Sequence, residues 1–179
     1  CEYPSEGEPA RAVDPPNGAN VSDQGTVGVT LHLTAGDVNL TLDRAKAPCT
    51  VQSFVSLAEQ GYYDDTVCHR LVDYGIFILQ CGDPTATGMG GPGYTIPDEV
   101  DSSLTYPAGT VAMAKRPQPD TGGSQFFLVW ADTPLPPEAL DLPRADSSLS
   151  LRAHMTALGL RPDAVARGEA LLRPDRIHG

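Results

Sequence analysis

The four cysteines are the residues whose chemistry the sequence shows most directly. Cys68 is followed by His69, and with Cys81 these side chains could supply three soft ligands to a metal ion. The chain holds no C-x-x-C pair and no fourth ligand at a suitable spacing, so we expect no metal site. An even number of cysteines in an acidic, proline-rich chain instead fits two disulfides and an oxidising compartment.

A glycine-rich segment, Gly88 to Gly93, matches the G-x-G-x-x-G pattern of dinucleotide-binding loops. Such a site needs a helix directly after the glycines to hold the pyrophosphate, and Tyr94 to Pro97 cannot begin one. No serine lies in a nucleophile elbow, so hydrolase chemistry has no support either. We therefore expect no nucleotide cofactor.

Length and charge exclude further classes of protein. The chain has 179 residues, which suits one domain. Its net charge is −11, and residues 1–137 carry only 6 Lys and Arg against 17 Asp and Glu. Because nucleic-acid affinity comes from cationic side chains that neutralise phosphates, we expect no nucleic-acid partner. The longest apolar run, Phe126 to Ala131, has six residues, which is too short to span a bilayer.

The chain begins at Cys1 and not at a methionine. Either an export or anchor segment has been removed, or this is a fragment of a longer protein. We therefore expect an extracytoplasmic protein, secreted or anchored through a segment upstream of Cys1. Membrane contact is expected only through such a segment.

Two periodicities divide the chain before Pro137. Residues 1–24 hold four prolines without an apolar period, and we interpret them as an extended arm. Thr26 to Leu33 and Val38 to Leu42 alternate with period two and predict a hairpin. Pro48 to Gln60 follows a 3.6-residue period and predicts one helix. Short apolar runs between turns then favour a barrel or sandwich: Val67 to Val72, Ile76 to Leu79, Tyr94 to Ile96, Gly109 to Ala114 and Phe126 to Trp130.

Three longer segments, in a fixed order, are more specific. They are Gly61 to Arg70 (GYYDDTVCHR), Gln80 to Gly88 (QCGDPTATG) and Gly122 to Val129 (GGSQFFLV). These segments resemble the cyclophilin family of peptidyl-prolyl cis-trans isomerases, whose patterns read G-Y-Y-D-x-x-x-F-H-R, Q-G-G-D-P-T-G-x-G and S-Q-F-F. The resemblance covers residues 25 to about 137 and implies a mainly β fold. That fold is a closed antiparallel eight-stranded barrel capped by the predicted helix.

The resemblance also implies a reaction that needs no cofactor, the isomerisation of Xaa-Pro bonds. Amide resonance sets a barrier of about 18–20 kcal/mol, and no bond is broken. The family's catalytic arginine corresponds to Arg70, whose guanidinium stays charged and presents donors in a fixed fork. By bonding the substrate it would favour a pyramidal prolyl nitrogen and weaken the conjugation.

The same resemblance implies a peptide-binding site beside Arg70. Gln80 and Gln125 would fix the peptide, and the backbone from Ala114 through Lys115 to Arg116 would pair with it. We expect Phe127 to be exposed to the pocket on one face, whereas Phe126, Val111 and Val129 alternate toward the barrel interior on the other face and belong to the core. The apolar wall for the proline ring would come from Phe77, Ile78, Met113, Phe127 and Leu135.

Cysteines stand at two places where the family pattern has other residues. Cys68 replaces a phenylalanine, and Cys81 replaces the first glycine of Q-G-G-D. Because the family's hairpin sets these positions on neighbouring strands, the resemblance implies a Cys68–Cys81 disulfide. Cys1 would then pair with Cys49, unless Cys1 carries a lipid and leaves Cys49 as a free thiol.

The family pattern ends at Pro137. Its closing F-G-x-V strand and last helix do not appear in residues 138–179, where leucine spacing becomes helical. We expect a divergent tail that is poorly ordered or forms two short helices, from Leu151 to Leu158 and from Pro162 to Leu172. A reading-frame shift would also produce such an abrupt junction.

Together these features predict a peptidyl-prolyl isomerase that assists the folding of extracytoplasmic proteins, with proline-containing peptides or unfolded polypeptides as partners. The alternative is a catalytically weak module that binds proline-containing peptides, or a holdase chaperone.

Overall fold

A computed structural model describes residues 1–100, 102–135 and 171–172. These residues form eight strands and one helix. In chain order they are β1 (Thr26–Leu33), β2 (Gly36–Asp43), α1 (Pro48–Glu59), β3 (Thr66–Val67), β4 (Arg70–Tyr74), β5 (Ile76–Cys81), β6 (Val111–Met113), β7 (Phe126–Val129) and β8 (Leu171–Leu172).

The first three elements confirm the predictions from periodicity. β1 and β2 form an antiparallel hairpin in which Thr26 lies opposite Asp43. Helix α1 begins with Pro48, which suits the first helical position because it has no N–H to leave unpaired. The next two N–H groups, of Cys49 and Thr50, each donate to the Glu99 carboxylate at 2.8 Å. A distant acidic side chain thus caps this helix.

The mainly β architecture is confirmed, but a closed barrel is not. The described strands form three sheets: β1 with β2, β3 with β8, and a four-stranded sheet in the order β4-β5-β7-β6. The predicted strand at Tyr94 to Ile96 makes only isolated bridges, to Ser5 and Gly122. The predicted run from Val67 to Val72 is interrupted, since Cys68 and His69 lie outside both β3 and β4.

Two clusters of buried apolar side chains lie on opposite faces of the four-stranded sheet. The main core joins the hairpin, α1 and the inner face of the sheet, with Leu31, Leu57 and Phe126 among its members. The second cluster consists of Val72, Ile78, Tyr106, Phe127 and Val129, with Ile76, Leu104, Ala112, Ala114 and Leu135 half-buried around them.

Neighbouring residues of β7 divide between the clusters. Phe126 lies in the main core as predicted, and the half-buried Val111 packs against it. The assignment of Val129 to the same face was wrong, because alternate residues of a strand point to opposite sides. Val129 lies with Phe127 in the second cluster.

The N-terminal arm, residues 1–24, contains no helix and no named strand, but it packs closely on the domain. The Glu6 N–H donates to the Gly93 carbonyl at 2.9 Å, and the Ala10 N–H donates to that of Gly91 at 2.8 Å. Arg11 Nη1 donates to three carbonyls just after α1, including that of Gly61 at 2.9 Å. The arm is therefore an integral layer of the fold.

Both predicted disulfides are present. Cys1 pairs with Cys49 and Cys68 with Cys81, with Cα separations of 5.5 and 4.0 Å. All four cysteines are thereby used, so the alternative that leaves Cys49 as a free thiol is not what this structure shows.

The predicted tail lies outside the described residues except at Leu171 and Leu172. There the expected helix from Pro162 to Leu172 is wrong for its last two residues. Leu171–Leu172 form β8, which pairs antiparallel with Thr66–Val67. Their backbone groups therefore belong to a strand ladder and not to a helical turn. Within the described ranges, no helix has the length and apolar character needed to cross a membrane.

Candidate functional site

Arg70 and Gln80 are directly opposite each other at one end of the β4–β5 pair. Paired residues project to the same face of a sheet, so their side chains meet there. Arg70 Nη1 donates to Gln80 Oε1 at 3.2 Å, and only 8% of the Gln80 surface is exposed. The charged guanidinium is therefore held at a defined place on the face that carries the second cluster.

Two further hydrogen bonds extend this contact across the sheet. Gln80 Nε2 donates to Gln125 Oε1 at 2.8 Å, and Gln125 Nε2 donates to the Gly90 carbonyl at 2.9 Å. Each amide accepts through its oxygen and donates through its nitrogen, which fixes the orientation of both side chains. The structure thus brings together three predicted site residues, Arg70, Gln80 and Gln125, and ties them to the Gly90 loop.

An apolar surface lies on the same face of the sheet. Ile78 and Phe127 form its floor, and both are completely buried. The expected exposure of Phe127 to the pocket was wrong, because Tyr106 packs against its ring with centroids 6.0 Å apart. Half-buried Ala114 and Leu135 pack against this floor. Leu135 was predicted for the pocket wall, whereas Ala114 was predicted only to pair with the peptide through its backbone.

Two residues predicted for the pocket lie elsewhere. Met113 is directly opposite Phe126 and packs against the main core, because it alternates with the pocket residue Ala114 along the chain. Phe77 alternates with Ile78 in the same way and contacts Trp130, with ring centroids 5.0 Å apart. Neither residue belongs to the second cluster.

Lys115 and Arg116 carry cationic side chains that are already paired. Lys115 Nζ forms an ion pair with the Asp98 carboxylate, and its side chain is largely buried. Arg116 Nη2 lies 2.6 Å from both carboxylate oxygens of Glu6 in the N-terminal arm. The cations beside Ala114 are therefore neutralised by residues from two other segments.

The loop after β5 is organised around the buried carboxylate of Asp83. Oδ1 accepts hydrogen bonds from the N–H and hydroxyl of Thr85, at 2.8 and 2.7 Å. Oδ2 accepts from the N–H groups of Thr87, Gly88 and Gly90, at 3.1, 2.7 and 3.1 Å. Burial alone would raise the pKa of Asp83, but these hydrogen bonds outweigh it and hold the pKa below its usual value. Asp83 thereby fixes the loop whose Gly90 carbonyl binds Gln125.

His69 directly precedes Arg70, and its ring lies beside Gly88 of this loop. Both of its ring nitrogens are buried without a hydrogen-bond partner among the described residues. Burial lowers the pKa of His69, the Asp83 carboxylate opposes that change, and the Arg70 charge adds to it. The imidazole is therefore neutral near pH 7 and adds no charge beside Arg70.

Sequence reasoning missed several residues that shape this site. Tyr106 covers Phe127, and its carbonyl accepts from the Thr133 N–H at 3.0 Å. Thr133 Oγ1 in turn accepts from the Phe77 N–H at 2.9 Å. No local pattern marks these contacts, because each joins segments at least 21 positions apart. Asp83 was visible within the Gln80–Gly88 motif, but its buried role was not.

Comparison with known proteins gives one family. A model of the family "Cyclophilin type peptidyl-prolyl cis-trans isomerase/CLD" matches residues 28–143. A "Probable peptidyl-prolyl cis-trans isomerase B" of Mycobacterium leprae is 42% identical over 153 residues, covering 77% of this chain and 52% of that protein. Its Mycobacterium tuberculosis counterpart is 41% identical over 155 residues, covering 77% and 49%. The chain thus spans about half the length of these relatives.

Solved structures agree with the sequence relatives. A cyclophilin-type peptidyl-prolyl cis-trans isomerase from Cryptosporidium parvum superimposes with a TM-score of 0.65 at 27% identity, covering 87% of this chain and 99% of that one. A second structure of that protein was determined in the presence of the dipeptide Ala-Pro. It gives a TM-score of 0.62 at 28% identity, covering 85% and 99%.

Proposed function

This chain belongs to the cyclophilin-type peptidyl-prolyl cis-trans isomerase family, and from that premise we propose that it catalyses cis-trans isomerisation of Xaa-Pro bonds. The observation that carries the proposal is the contact between Arg70 and Gln80 on the same face as the second cluster. A charged donor can stabilise the twisted amide of an Xaa-Pro bond, and an apolar surface beside it can hold the proline ring.

Rotation about an Xaa-Pro bond removes the amide resonance, and the nitrogen lone pair then becomes localised. Arg70 can stabilise that state by donating to the substrate, since a hydrogen bond from a charged donor is stronger than a neutral one. Each reduction of the barrier by about 1.4 kcal/mol raises the rate tenfold. Gln80 holds the guanidinium in place, so its orientation is set before the substrate binds.

We assign the proline ring to the apolar surface above Ile78 and Phe127, bordered by Ala114 and Leu135. The Cryptosporidium relative studied in the presence of Ala-Pro supports a proline-containing ligand. Gln80 and Gln125 would bind the peptide backbone next to the reacting bond. Because Phe127 and Ile78 are fully buried, the half-buried residues around them must supply most of the direct contact.

Two wider proposals concern fold and location. Two disulfides favour an oxidising, extracytoplasmic environment, where the substrates would be unfolded polypeptides. We also propose that residues 25–137 form the isomerase domain, with the arm 1–24 packed on it and the tail 138–179 adding the strand β8. β8 pairs with β3 and lies beside β1, which supports a barrel closed through the end of the chain.

A protease-coupled assay on an Ala-Pro peptide, together with a binding titration of the same peptide, tests this function. We expect catalysed isomerisation that saturates with substrate. Saturable binding with isomerisation at the uncatalysed rate would contradict the enzyme and support the alternative, a module that binds proline-containing peptides. Absence of both would contradict the proposed site altogether.

A further inference from the structure

We propose that Glu6 of the N-terminal arm determines how the enzyme responds to charge in its substrate. Glu6 neutralises Arg116 at the edge of the peptide site, so residues flanking the Xaa-Pro bond experience little net charge there. The inference rests on the proposed function, because it concerns the same site. It assigns a specificity role to a segment that lies before residue 28, where the family match begins.

The ion pair has a close geometry. Arg116 Nη2 lies 2.6 Å from Glu6 Oε1 and 2.6 Å from Oε2, so one nitrogen bridges both carboxylate oxygens. About half of each side chain is exposed, at 55% for Arg116 and 49% for Glu6. The pair is therefore accessible from solution and would be accessible to a bound peptide.

The backbone around Glu6 is fixed by several contacts. Its N–H donates to the Gly93 carbonyl at 2.9 Å, and the Thr95 N–H donates to the Pro4 carbonyl at 2.9 Å. Between these, Ser5 forms a bridge with Tyr94. The Cys1–Cys49 disulfide ties the start of the arm to α1. Glu6 is thus placed by main-chain pairing, which lowers the entropy cost that makes most surface ion pairs weak.

Arg116 is placed just as firmly on the other side. It follows Ala114, a residue of the apolar surface, by two positions. The Arg116 N–H donates to Thr121 Oγ1 at 3.0 Å, and that hydroxyl lies 2.9 Å from the Gln118 carbonyl and 3.2 Å from the Arg116 carbonyl, its two acceptors. A peptide that runs along Ala114 therefore passes within reach of the Arg116 side chain.

Removing Glu6 leaves Arg116 as an uncompensated cation beside the site. Because Lys115 is already paired with Asp98, the net local change is one positive charge. Two unit charges about 4 Å apart in water interact by about 1 kcal/mol, which corresponds to about a fivefold change in kcat/KM. We expect a preference of this size, about two- to fivefold, for acidic over basic residues flanking the proline.

The test compares peptides that differ only by Glu or Lys at one position flanking the Xaa-Pro bond, on either side. The ratio of kcat/KM for the Glu peptide to that for the Lys peptide is measured for each variant. Glu6→Gln should raise this ratio about two- to fivefold at low salt and less at high salt, since exposed charges are screened. Combining Glu6→Gln with Arg116→Gln should return the ratio to near the wild-type value.

Glu8→Gln is the matched control, because it removes the same charge from an exposed position of the same arm. If Glu6→Gln and Glu8→Gln change the ratio equally, or if Glu6→Gln lowers turnover of both peptides alike, the inference is wrong. Measuring the Kd of both peptides in parallel distinguishes a failure of the inference about Glu6 from a failure of the proposed isomerase function. Without wild-type turnover the proposed function fails, whereas the charge ratio in Kd still decides the role of Glu6.

Discussion

Replacement of Asp83 by asparagine tests the buried carboxylate that organises the loop beside the site. The carboxylate is wholly buried and accepts from Thr85 through Oδ1 and from three N–H groups through Oδ2. An asparagine must place its NH2 group toward one of these two sets of donors. The less costly orientation points the NH2 group toward Thr85, because the Thr85 hydroxyl can turn and accept a hydrogen bond from it. The Thr85 N–H then has no acceptor.

The expected loss follows from these contacts. A buried N–H without a partner costs about 1–3 kcal/mol, and the remaining bonds weaken because their acceptor is no longer charged. We expect Asp83→Asn to lower the free energy of unfolding by about 3 kcal/mol. Because Gly90 belongs to the same loop and its carbonyl holds Gln125, kcat/KM should fall as well.

Denaturant unfolding of wild type, Asp83→Asn and Asp23→Asn at a series of pH values provides the assay. Asp23 is exposed and serves as a control for the lost charge. The folded pKa of Asp83 lies below its usual value of 3.8, so its contribution is complete at higher pH. It should disappear as the pH falls through the folded pKa. A loss no larger than that of Asp23→Asn, or one that does not shrink as the pH is lowered below 3.8, would refute the reasoning.

Two further predictions concern the disulfides and the pocket. Replacing Cys68 and Cys81 by serine should cost about 3 kcal/mol of stability, against about 4 for Cys1 and Cys49, whose loop of 48 residues is longer. In the isomerase assay, loss of the Cys68–Cys81 disulfide should lower kcat/KM more than loss of the Cys1–Cys49 disulfide, because Cys81 directly follows Gln80 of the site. Equal losses of kcat/KM would contradict this. Ala114→Leu should raise KM severalfold, because the larger side chain would occupy part of the space proposed for the proline ring. Ala45→Leu makes the same change at an exposed position far along the chain and should leave KM unchanged. Equal KM values for the two variants would mean that the proline ring binds elsewhere.

Local periodicity was enough to predict the hairpin and the helix. The Pro48–Gln60 helix differs from the observed Pro48–Glu59 by one residue. Both disulfides were also predicted, because the family pattern places Cys68 and Cys81 on neighbouring strands. The cap supplied by Glu99 was not, since it reaches α1 from 49 positions away.

The orientation of individual side chains was less predictable. Met113 was assigned to the pocket and Val129 to the core, and in both cases the structure places the residue on the opposite face. Both assignments broke the period of two, since Met113 directly precedes Ala114 and Val129 lies three positions after Phe126. The burial of Phe127 depends on Tyr106, whose position is set by a bridge to Thr133. Contacts of this kind follow from the packing of distant segments.

The arm 1–24 shows the same limit. Its prolines and lack of period predict an extended arm, and the structure has no helix and no named strand in these residues. Its packing depends on main-chain bonds to the loop Gly91–Thr95 and on Arg11, which lies far along the chain from the carbonyls that it binds. Those partners follow from the tertiary fold and leave no mark in the arm itself.

The most direct measurement of the central claim is kcat/KM for an Ala-Pro peptide with wild type, Arg70→Ala, Arg70→Lys and the control Arg44→Ala. Arg44 lies in the connection between β2 and α1, and β2 belongs to a different sheet from β4 and β5. We predict a loss of at least about tenfold for Arg70→Ala, because a hydrogen bond from a charged group contributes about 1.5–3 kcal/mol. Arg70→Lys should lose less, since it keeps the charge without the fork. Circular dichroism spectra should match that of wild type, which shows that each variant is folded at the temperature of the assay. Unchanged kcat/KM in a folded Arg70→Ala protein would contradict the assignment of Arg70 as the catalytic residue.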